Sequence, residues 1–334
     1  MHGNGGGDVK AAVYERYGPP DVVTVKEVAK PAIKDNEVLV KIRASTVSSG
    51  DWRARSLAVP AGFKLMSRLF FGVFRPRQPI LGTEFAGDVA AVGKDVTRFK
   101  VGDAVFGYPG AGFGCHAEFR AMPQDGPIAL KPANMSYQEA AALCFGGTTA
   151  LDYLKDKGKI ARGEKVLVVG ASGTVGSAAV QLAKHFGAEV TGVCGPANLA
   201  LVKSIGADHV IDYSKEDFTK NGETYDIILV AAGALPFSKC KHSLADKGRL
   251  LMVVAGLPEM IQIPWAALTS TKKVFAGPAA ERPEYVQQLK ELAEAGAFKP
   301  VIDRRYPLAR IVEAHAYVDG GHKKGSVVVE VGQS

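Results

Sequence analysis

The sequence predicts an α/β fold in which a small β-barrel is combined with a doubly wound parallel sheet. Short β-rich segments separated by turns make up residues 10–130, whereas strands alternate with helical segments from residue 165 onward. A glycine-rich turn joins the first strand of the second region to its helix. A chain of 334 residues also favours two domains rather than one.

The first region has the turn pattern of an irregular β-barrel. Its β-rich segments at 10–14, 22–28 and 37–45 are separated by turn sequences such as Gly18-Pro19-Pro20. Glycines that suit bulges and tight bends follow at Gly82, Gly87 and Gly93. The region contains no phosphate-binding loop and no helical repeat, so we expect a small barrel domain.

One segment of this region, residues 63–77, is unusually rich in aromatic and basic side chains (FKLMSRLFFGVFRPR). Three interpretations are open: a mobile apolar lid over a substrate cleft, a helix packed on the barrel with its bases in water, or a contact with a membrane surface. In the first interpretation Phe71 lines the substrate pocket.

The strongest local signal is the stretch 165–187, KVLVVGASGTVGSAAVQLAKHFG. The apolar run 166–169 has no polar face, which is typical of a strand buried on both sides. Gly170, Gly173 and Gly176 follow at spacings of three, and apolar residues then recur at helical spacing. Strand, glycine turn and helix in this order predict a nucleotide-binding Rossmann unit, in which the helix N-terminus binds a pyrophosphate.

Further strands and helices complete the predicted domains. We expect strands at 189–194, 209–212, 226–230 and 249–254, an edge strand at Val274-Phe275, and a helix at 197–205. Two helices, 283–295 and 308–318, and a last strand, 326–331, are too few to form a third domain. The predicted division is therefore a flexible arm (1–8), a barrel domain (9–130), a cofactor-binding domain (131–276) and a return to the barrel domain (277–334).

Composition is that of an ordinary globular enzyme, with 47% hydrophobic and 22% charged residues. Four scattered cysteines form no C-x-x-C pair, so we expect neither a zinc ribbon nor disulfides, and a reducing compartment. The net charge of +7 is modest, and no basic–aromatic array indicates a nucleic-acid partner. No segment resembles a membrane span or signal peptide. We expect the cytoplasm, or an organelle interior if a transit peptide has been removed.

Several segments together have a family pattern. They are 40–45 (VKIRAS), 81–87 (LGTEFAG), 101–105 (VGDAV), 205–213 (IGADHVIDY), 325–329 (GSVVV) and the glycine motif. In these the sequence resembles the medium-chain dehydrogenase/reductase superfamily, and within it the zinc-independent quinone oxidoreductase branch with its zeta-crystallin-like members. The resemblance implies a GroES-like catalytic domain, a Rossmann domain and a cofactor in the cleft between them.

The positions that bind zinc in related dehydrogenases differ in this sequence. The resemblance places Ser48 and Thr83 where those enzymes carry a Cys and a His, and the four-cysteine structural lobe is missing. The adjacent Cys115-His116 pair has no partners spaced to complete a tetrahedral site. We therefore expect no bound metal.

A reaction that needs no metal fits these differences. Reduction of an isolated carbonyl benefits from a Lewis acid, whereas a quinone or an enone delocalises the charge of an incoming hydride onto a conjugated oxygen. We therefore predict hydride transfer from a nicotinamide to a small conjugated carbonyl. The resemblance places Ser48 and Thr149 near the nicotinamide as candidate catalytic hydrogen-bond donors, although a loop hydrogen bond is the alternative for Ser48. Trp52 either lines the pocket or is buried in the core, and Asp51 is expected to cap a loop.

NADPH is the predicted coenzyme. An NAD enzyme usually carries Asp or Glu at the end of the second strand, but residues 194–198 are CGPAN. The resemblance implies that Gly195, Asn198 and Tyr213 border the 2′-phosphate, with the Tyr213 hydroxyl as a donor. Because no Lys or Arg stands in this loop, we expect a moderate preference only. The predicted cofactor-binding residues are Gly170, Ser172, Gly173, Thr174, Val175, Gly195, Asn198, Tyr213, Ala232 and Val254.

Two other functions stay open on the sequence alone. One is an NADPH-binding structural or regulatory protein with little turnover, and the other is a peripheral membrane-associated oxidoreductase. The edge strand at Val274-Phe275 predicts a homodimer, because an open edge favours pairing with a second copy. The family resemblance implies the same assembly, because related enzymes form dimers through that edge strand.

Overall fold

The computed structural model describes residues 7–60 and 62–332. Residues 1–6 of the predicted N-terminal arm lie outside this range, and Asp8 already belongs to the first strand. The strands are β1 (Asp8–Tyr14), β2 (Val23–Ala29), β3 (Glu37–Val47), β4 (Phe85–Val92), β5 (Ala104–Gly107), β6 (Phe119–Pro123), β7 (Ile128–Leu130), β8 (Lys165–Val169), β9 (Glu189–Cys194), β10 (His209–Asp212), β11 (Tyr225–Val230), β12 (Leu244–Met252), β13 (Lys273–Ala276), β14 (Ile302–Pro307) and β15 (Ser326–Glu330).

Helices connect and cover these strands. They are α1 (Ser49–Ser56), α2 (Lys64–Phe71), α3 (Tyr137–Ala141), α4 (Cys144–Leu151), α5 (Thr174–His185), α6 (Leu199–Ser204), α7 (Phe237–Cys240), α8 (Leu257–Thr269), α9 (Pro283–Glu294) and α10 (Ile311–Asp319). In the described part of the chain, none of them is both long enough and apolar enough to pass through a lipid bilayer.

The second half of the chain contains the predicted parallel sheet. Its six strands lie in the order β10-β9-β8-β11-β12-β13, and every pair is parallel. Val166 and Val168 of β8 pack into one core, while Leu167 between them packs into the core on the opposite face. A strand buried on both faces needs apolar residues at every position, which explains the unbroken apolar run in the sequence. The predicted α/β fold is confirmed, and β13 is one of the two edge strands, with β10 at the other edge.

The barrel sheet combines strands from both ends of the chain. Its seven strands run β14-β15-β3-β4-β5-β7, with β6 also paired to β3. Strand β15 pairs with β3 in antiparallel register, so the last segment returns to the first domain. The fully buried Arg55 of α1 makes an ion pair with Asp319 of α10 at 2.5 Å and so joins α1 to the returning segment.

Helix α8 and strand β14 are absent from the sequence predictions. Pro264 lies inside α8, and an internal proline removes a backbone donor, so this stretch lacks the usual appearance of a helix. The helix predicted at 197–205 is shorter than expected. It begins as a 3₁₀ turn at Pro196–Asn198 and continues as α6.

The aromatic and basic segment at 63–77 forms α2 and a following turn. The predicted helix is present, but only Phe71 of its aromatic residues packs against the barrel core. Leu65, Phe70 and Phe74 are 73%, 59% and 94% exposed. Packing on the barrel therefore accounts for one side of this helix and leaves an apolar face in solvent.

Candidate active site

A cleft of about 590 Å³ lies between the barrel and the parallel sheet. The barrel side contributes Ser49, Trp52 and Arg53, all from α1. The sheet side contributes the glycine turn between β8 and α5 and the residues that follow β11 and β12. Ligands of open parallel sheets bind at the carboxyl ends of the strands, and this cleft has that position.

The glycine turn has the shape that a phosphate group requires. A Cβ added to Gly176 would lie 2.1 Å from the carbonyl oxygen of Gly170, so only glycine permits α5 to start this close to β8. A Cβ added to Gly173 would meet only that same oxygen, at 3.6 Å, and Gly173 lines the cleft. The N-terminus of α5 has no side-chain cap. Its free N–H groups therefore fit the pyrophosphate of a dinucleotide.

The residues predicted to border the adenosine 2′-phosphate gather at the end of β9. The Asn198 side-chain amide donates to Ser172 Oγ at 3.1 Å. A Cβ added to Gly195 would lie 3.2 Å from the Tyr213 hydroxyl, which places that hydroxyl directly beside Gly195. Tyr213 is 66% exposed. The group presents uncharged donors only, as the sequence predicts.

Two acidic residues near this group serve local structure. Asp212 accepts from the N–H and the hydroxyl of Ser214, which lowers the pKa of the Asp212 carboxyl. Asp208 accepts from Val190 N–H and from Lys184. Both are turn or cap residues, in agreement with the sequence prediction. The Lys203 ammonium donates to the Asp208 carbonyl, away from the loop at 195–198.

The remaining predicted cofactor residues line the cleft itself. Thr174 and Val175 begin α5, and Gly170 begins the turn after β8. Ala232 follows β11 and Val254 follows β12. The structure therefore brings residues from three successive strand ends into one cavity.

Thr149 lines the cleft from α4, a helix that packs against the start of α5. Its hydroxyl donates to the Phe145 carbonyl one turn earlier at 2.7 Å, which leaves the oxygen lone pairs toward other partners. Phe145 also lines the cleft, and its N–H donates to the buried Glu84 carboxylate at 2.6 Å. Glu84 thus holds the start of the helix that carries Thr149.

Ser48 is not among the residues that line the cleft, so its role as a catalytic donor stays a prediction, beside the alternative of a loop hydrogen bond. Its side chain is buried and donates to the Asp51 carboxylate at 2.7 Å, while Asp51 also accepts from Ser48 N–H and Gly82 N–H. Together Ser48 and Asp51 form a capping box at the start of α1. Ser49, one residue later, faces the cleft instead.

The two predicted substrate-pocket residues have different positions. Trp52 lines the cleft and also packs against the barrel core, so both interpretations of this residue apply. Phe71 does not line the cleft. Its ring lies 6.2 Å from that of Phe113, because the last turn of α2 is folded onto the barrel. Residues 58–60, ahead of α2, reach the cleft in its place.

Comparison with known proteins agrees with this geometry. Residues 34–133 match the alcohol dehydrogenase GroES-like domain family, and residues 205–329 match the zinc-binding dehydrogenase family. A chloroplastic quinone-oxidoreductase homolog of Spinacia oleracea is 33% identical over 96% of this chain and 98% of its own. A 2-methylene-furan-3-one reductase of Solanum lycopersicum is 33% identical over 96% of this chain and 79% of its own. The solved quinone oxidoreductase from Coxiella burnetii covers 97% of this chain and 100% of its own, with a TM-score of 0.84 at 26% identity.

The chain belongs to the medium-chain dehydrogenase/reductase superfamily, in its quinone oxidoreductase-like branch. It is an oxidoreductase that uses a nicotinamide cofactor. The observed GroES-like barrel and Rossmann sheet are those of this superfamily.

Sequence reasoning missed Lys323, the one lysine among the residues that line the cleft. It comes from the turn before β15, far from the glycine motif in sequence, and donates to the Gly325 carbonyl at 2.6 Å and to the Thr174 hydroxyl. The pair Lys323-Lys324 before a glycine was the only signal. This signal could not be assigned to the cleft from the sequence, because Lys323 reaches the cleft only through the return of the chain to the first domain.

The residues considered for a metal site are all buried: Thr83, which the resemblance places at a zinc position, and the Cys115-His116 pair. The Thr83 hydroxyl is buried and finds no partner within the described residues. His116 is buried and bonds the Thr46 carbonyl through Nε2 at 2.8 Å, while burial raises the pKa of the Cys115 thiol. Among residues 7–60 and 62–332, no three potential metal ligands cluster.

Proposed function

We propose that this protein transfers hydride from NADPH to a quinone, an enone or a related conjugated carbonyl. The observation that carries the proposal is the cleft that Thr149 and Trp52 line together with the glycine turn before α5. The names of the spinach and tomato relatives, a quinone-oxidoreductase homolog and a furanone reductase, support this substrate class. The reduced nicotinamide supplies the hydride when it is bound.

The residues of the chain bind the cofactor, orient the substrate and stabilise the charge that develops during the reaction. The N-terminus of α5 binds the pyrophosphate, and Trp52 gives the substrate ring an apolar wall. Ser49 and Thr149 line the cleft, and their hydroxyls are the proposed donors to the oxygen on which negative charge develops. The Thr149 hydroxyl donates there in exchange for its present hydrogen bond to the Phe145 carbonyl. A conjugated acceptor spreads this charge, so that neutral donors suffice without a Lewis acid.

The coenzyme preference follows from the group at the end of β9. No carboxylate stands at 195–198 to repel a 2′-phosphate, and the Tyr213 hydroxyl and the Asn198 amide are available as donors. No cation is among them, which supports a moderate preference for NADPH over NADH.

Turnover is the property that tests the proposal. NADPH oxidation is followed with a panel of small quinones, enones, saturated aldehydes and alcohols, and then with NADH. We expect turnover with quinones and enones and little with saturated carbonyls. Absence of turnover with every acceptor, despite tight NADPH binding, would favour the structural or regulatory alternative. Preference for saturated substrates would contradict the proposed chemistry.

Assembly and location are part of the proposal. The domain division at residues 130/131 and 276/277 is supported by the membership of the two sheets. A homodimer through β13 is supported by the open edge of the parallel sheet. The spinach relative is named as chloroplastic, which supports an organelle interior over the cytoplasm.

Association with a membrane surface is a second candidate function, favoured by α2. Five apolar side chains on α2 and the turn after it are between 55% and 94% exposed: Leu65, Met66, Leu69, Phe70 and Phe74. Lys64, Arg75 and Arg77 flank them in solvent, and residues 63–77 contain no acid. An apolar face with a basic border fits an anionic lipid surface.

Vesicle flotation tests this second function. We expect the protein to float with vesicles of phosphatidylcholine and phosphatidylserine but poorly with phosphatidylcholine alone, and Phe70→Ser with Phe74→Ser should abolish flotation. The matched control is Ile261→Ser with Leu268→Ser, because these exposed apolar residues lie on α8, a helix that contains no basic residue. Equal flotation of both double variants would contradict the assignment to α2.

A further inference from the structure

Three residues of α1 face the cleft together. Ser49, Trp52 and Arg53 all line it, and their spacing of three and four residues places them on one face of the helix. Ser49 is a proposed donor to the substrate oxygen, and Trp52 is the proposed apolar wall. Arg53 adds a positive charge to this side of the cleft, and the proposed chemistry gives that charge no task.

The two arginines of α1 differ in their partners. Arg55 is fully buried, makes an ion pair with Asp319 and donates to the Gly18 carbonyl at 2.7 Å. Arg53 is half-buried, and in the described part of the chain its guanidinium has neither an ion pair nor a hydrogen bond. Its Cζ lies 5.9 Å from the centre of the Trp52 ring. Burial lowers the pKa of Arg53, and no acid of the described chain opposes this shift. Arg55 is therefore a structural cation, whereas Arg53 presents an unbalanced charge to the cleft.

The other charged groups of the cleft have positions of their own. Among the described residues that line the cleft, Glu259 is the one acid, and its carboxylate accepts from Gly256 N–H at 2.8 Å at the start of α8. Lys323 donates to the Thr174 hydroxyl at the start of α5, where the pyrophosphate is proposed to bind. A partly desolvated guanidinium is unfavourable until an anion joins it. The anion for Arg53 therefore comes from the substrate, which occupies the cleft beside α1.

We propose that Arg53 determines substrate specificity by binding a carboxylate, so that the preferred acceptor is a conjugated carbonyl that also carries a carboxylate group. This inference rests on the proposed function, because it requires a conjugated acceptor in the cleft. The planar guanidinium can donate to both carboxylate oxygens at once, and such charge-assisted pairs are strong and directional. The reaction itself is unchanged: hydride adds to the β-carbon, the electron pair of the double bond moves to the carbonyl oxygen, and solvent supplies the proton.

Two enones that differ in one charge test the proposal. The first is 6-oxonon-7-enoate, and the second is its methyl ester. A saturated chain separates the carboxylate from the enone, so both acceptors have the same intrinsic reactivity. Wild-type kcat/KM with NADPH should be roughly tenfold to a hundredfold higher for the carboxylate, the range for one charge-assisted hydrogen bond.

Arg53→Gln should remove this preference and leave kcat/KM for the ester within about twofold of the wild type. The loss for the carboxylate should appear in KM, with kcat nearly unchanged, because Arg53 binds a part of the substrate that does not react.

Calorimetric titration gives a readout that does not depend on turnover. The saturated product, 6-oxononanoate, is titrated into protein loaded with NADP⁺, and its dissociation constant should rise roughly tenfold to a hundredfold in Arg53→Gln. The dissociation constant of NADPH should stay within about twofold, because the N-terminus of α5 binds the pyrophosphate in the proposed function.

Two further variants serve as controls. Arg53→Lys keeps a positive charge but lacks the guanidinium fork, so it should retain part of the preference for the carboxylate. Arg305→Gln removes the same charge from an exposed position on β14 and should reduce both enones as the wild type does. Thermal unfolding of each variant verifies that the fold is intact.

Each alternative outcome is distinguishable. Turnover of both enones without a preference for the carboxylate would overturn this inference and leave the proposed function intact, and so would reduction of quinones but of neither enone. A preference that Arg53→Gln retains, or that Arg305→Gln loses equally, would also overturn it. Weaker NADPH binding by Arg53→Gln would assign Arg53 to the cofactor and overturn the inference. Failure of the wild type to reduce any quinone or enone would reject the proposed function itself, and the inference with it.

Discussion

The hydroxyl of Ser48 donates to the carboxylate of Asp51 at 2.7 Å, inside the capping box that begins α1. This hydrogen bond gives two adjacent serines different tasks. Ser48 is buried and holds the helix start, whereas Ser49 faces the cleft. The position that corresponds to a zinc ligand in related dehydrogenases thus stabilises the loop in this chain.

The first prediction separates these two serines. Ser48→Ala removes an N-cap and leaves buried Asp51 without one partner, so we expect a loss of about 1–3 kcal/mol in the free energy of unfolding. Ser49→Ala should change stability by less than about 0.5 kcal/mol but lower kcat/KM for a quinone roughly tenfold to a hundredfold. Urea unfolding and steady-state kinetics of both variants test this. The opposite pattern would restore Ser48 as the catalytic donor.

The second prediction concerns the buried Glu84. Burial raises the pKa of Glu84 to about 7, and the hydrogen bonds from Thr46 and Phe145 N–H only partly oppose it. An unfolded Glu titrates near about 4.3, so the folded protein binds the extra proton between these values. The stability that Glu84 contributes is therefore complete below a pH of about 4 and is lost as the pH rises through about 7.

Glu84→Gln removes this titration, so the variant should become more stable relative to the wild type as the pH rises from about 5 to about 8. The relative change should not exceed about 3 kcal/mol. Urea unfolding of both proteins across this pH range measures it, with Glu291→Gln at an exposed position as the control. A stability difference that is independent of pH would show that Glu84 keeps one protonation state.

The sequence predicts the strands and the glycine turn well because local physics determines them. An apolar run such as 166–169 is unfavourable in contact with water, so it forms a buried strand. Position 176 requires glycine because a Cβ there would collide with the nearby carbonyl oxygen of Gly170. The features that it fails to predict depend on distant contacts. Lys323 lines the cleft because the chain returns to the barrel, whereas the Phe71 ring packs on the barrel core, 6.2 Å from the ring of Phe113.

The third prediction is the coenzyme preference. Wild-type kcat/KM with one quinone should favour NADPH over NADH. Tyr213→Phe should narrow the ratio roughly threefold to tenfold, since it removes one hydrogen bond to a phosphate. Ala197 is exposed at the end of β9, so Ala197→Arg should widen the ratio by adding the missing cation. Equal kcat/KM values for the two coenzymes in the wild type would refute this assignment.

The fourth prediction concerns zinc. Residues 205–329 match a family described as zinc-binding, but the zinc-ligand positions that the resemblance gives lie outside that range. They hold Ser48, which caps α1, and Thr83, whose hydroxyl finds no partner in the described chain. Elemental analysis of protein purified without chelator should find far less than one zinc per chain, and EDTA should leave kcat/KM unchanged. Stoichiometric zinc whose removal abolishes turnover would contradict this prediction.

The last prediction is a homodimer built on the edge strand β13. Helix α8 leads into β13 and exposes Ile261 and Leu268 by 69% and 87%, while Trp265 between them packs partly on Phe237. Ile261, Trp265 and Leu268 are spaced by four and three residues, so their side chains share one face of α8. An apolar helix face next to an unpaired strand edge favours a two-fold contact, in which each copy covers the other.

Ile261→Asp with Leu268→Asp places charges in this contact and should give a monomer by light scattering at micromolar concentration. Leu65→Asp on α2, an equally exposed apolar site, should remain dimeric. A wild-type mass equal to one chain across this concentration range would rule out the dimer.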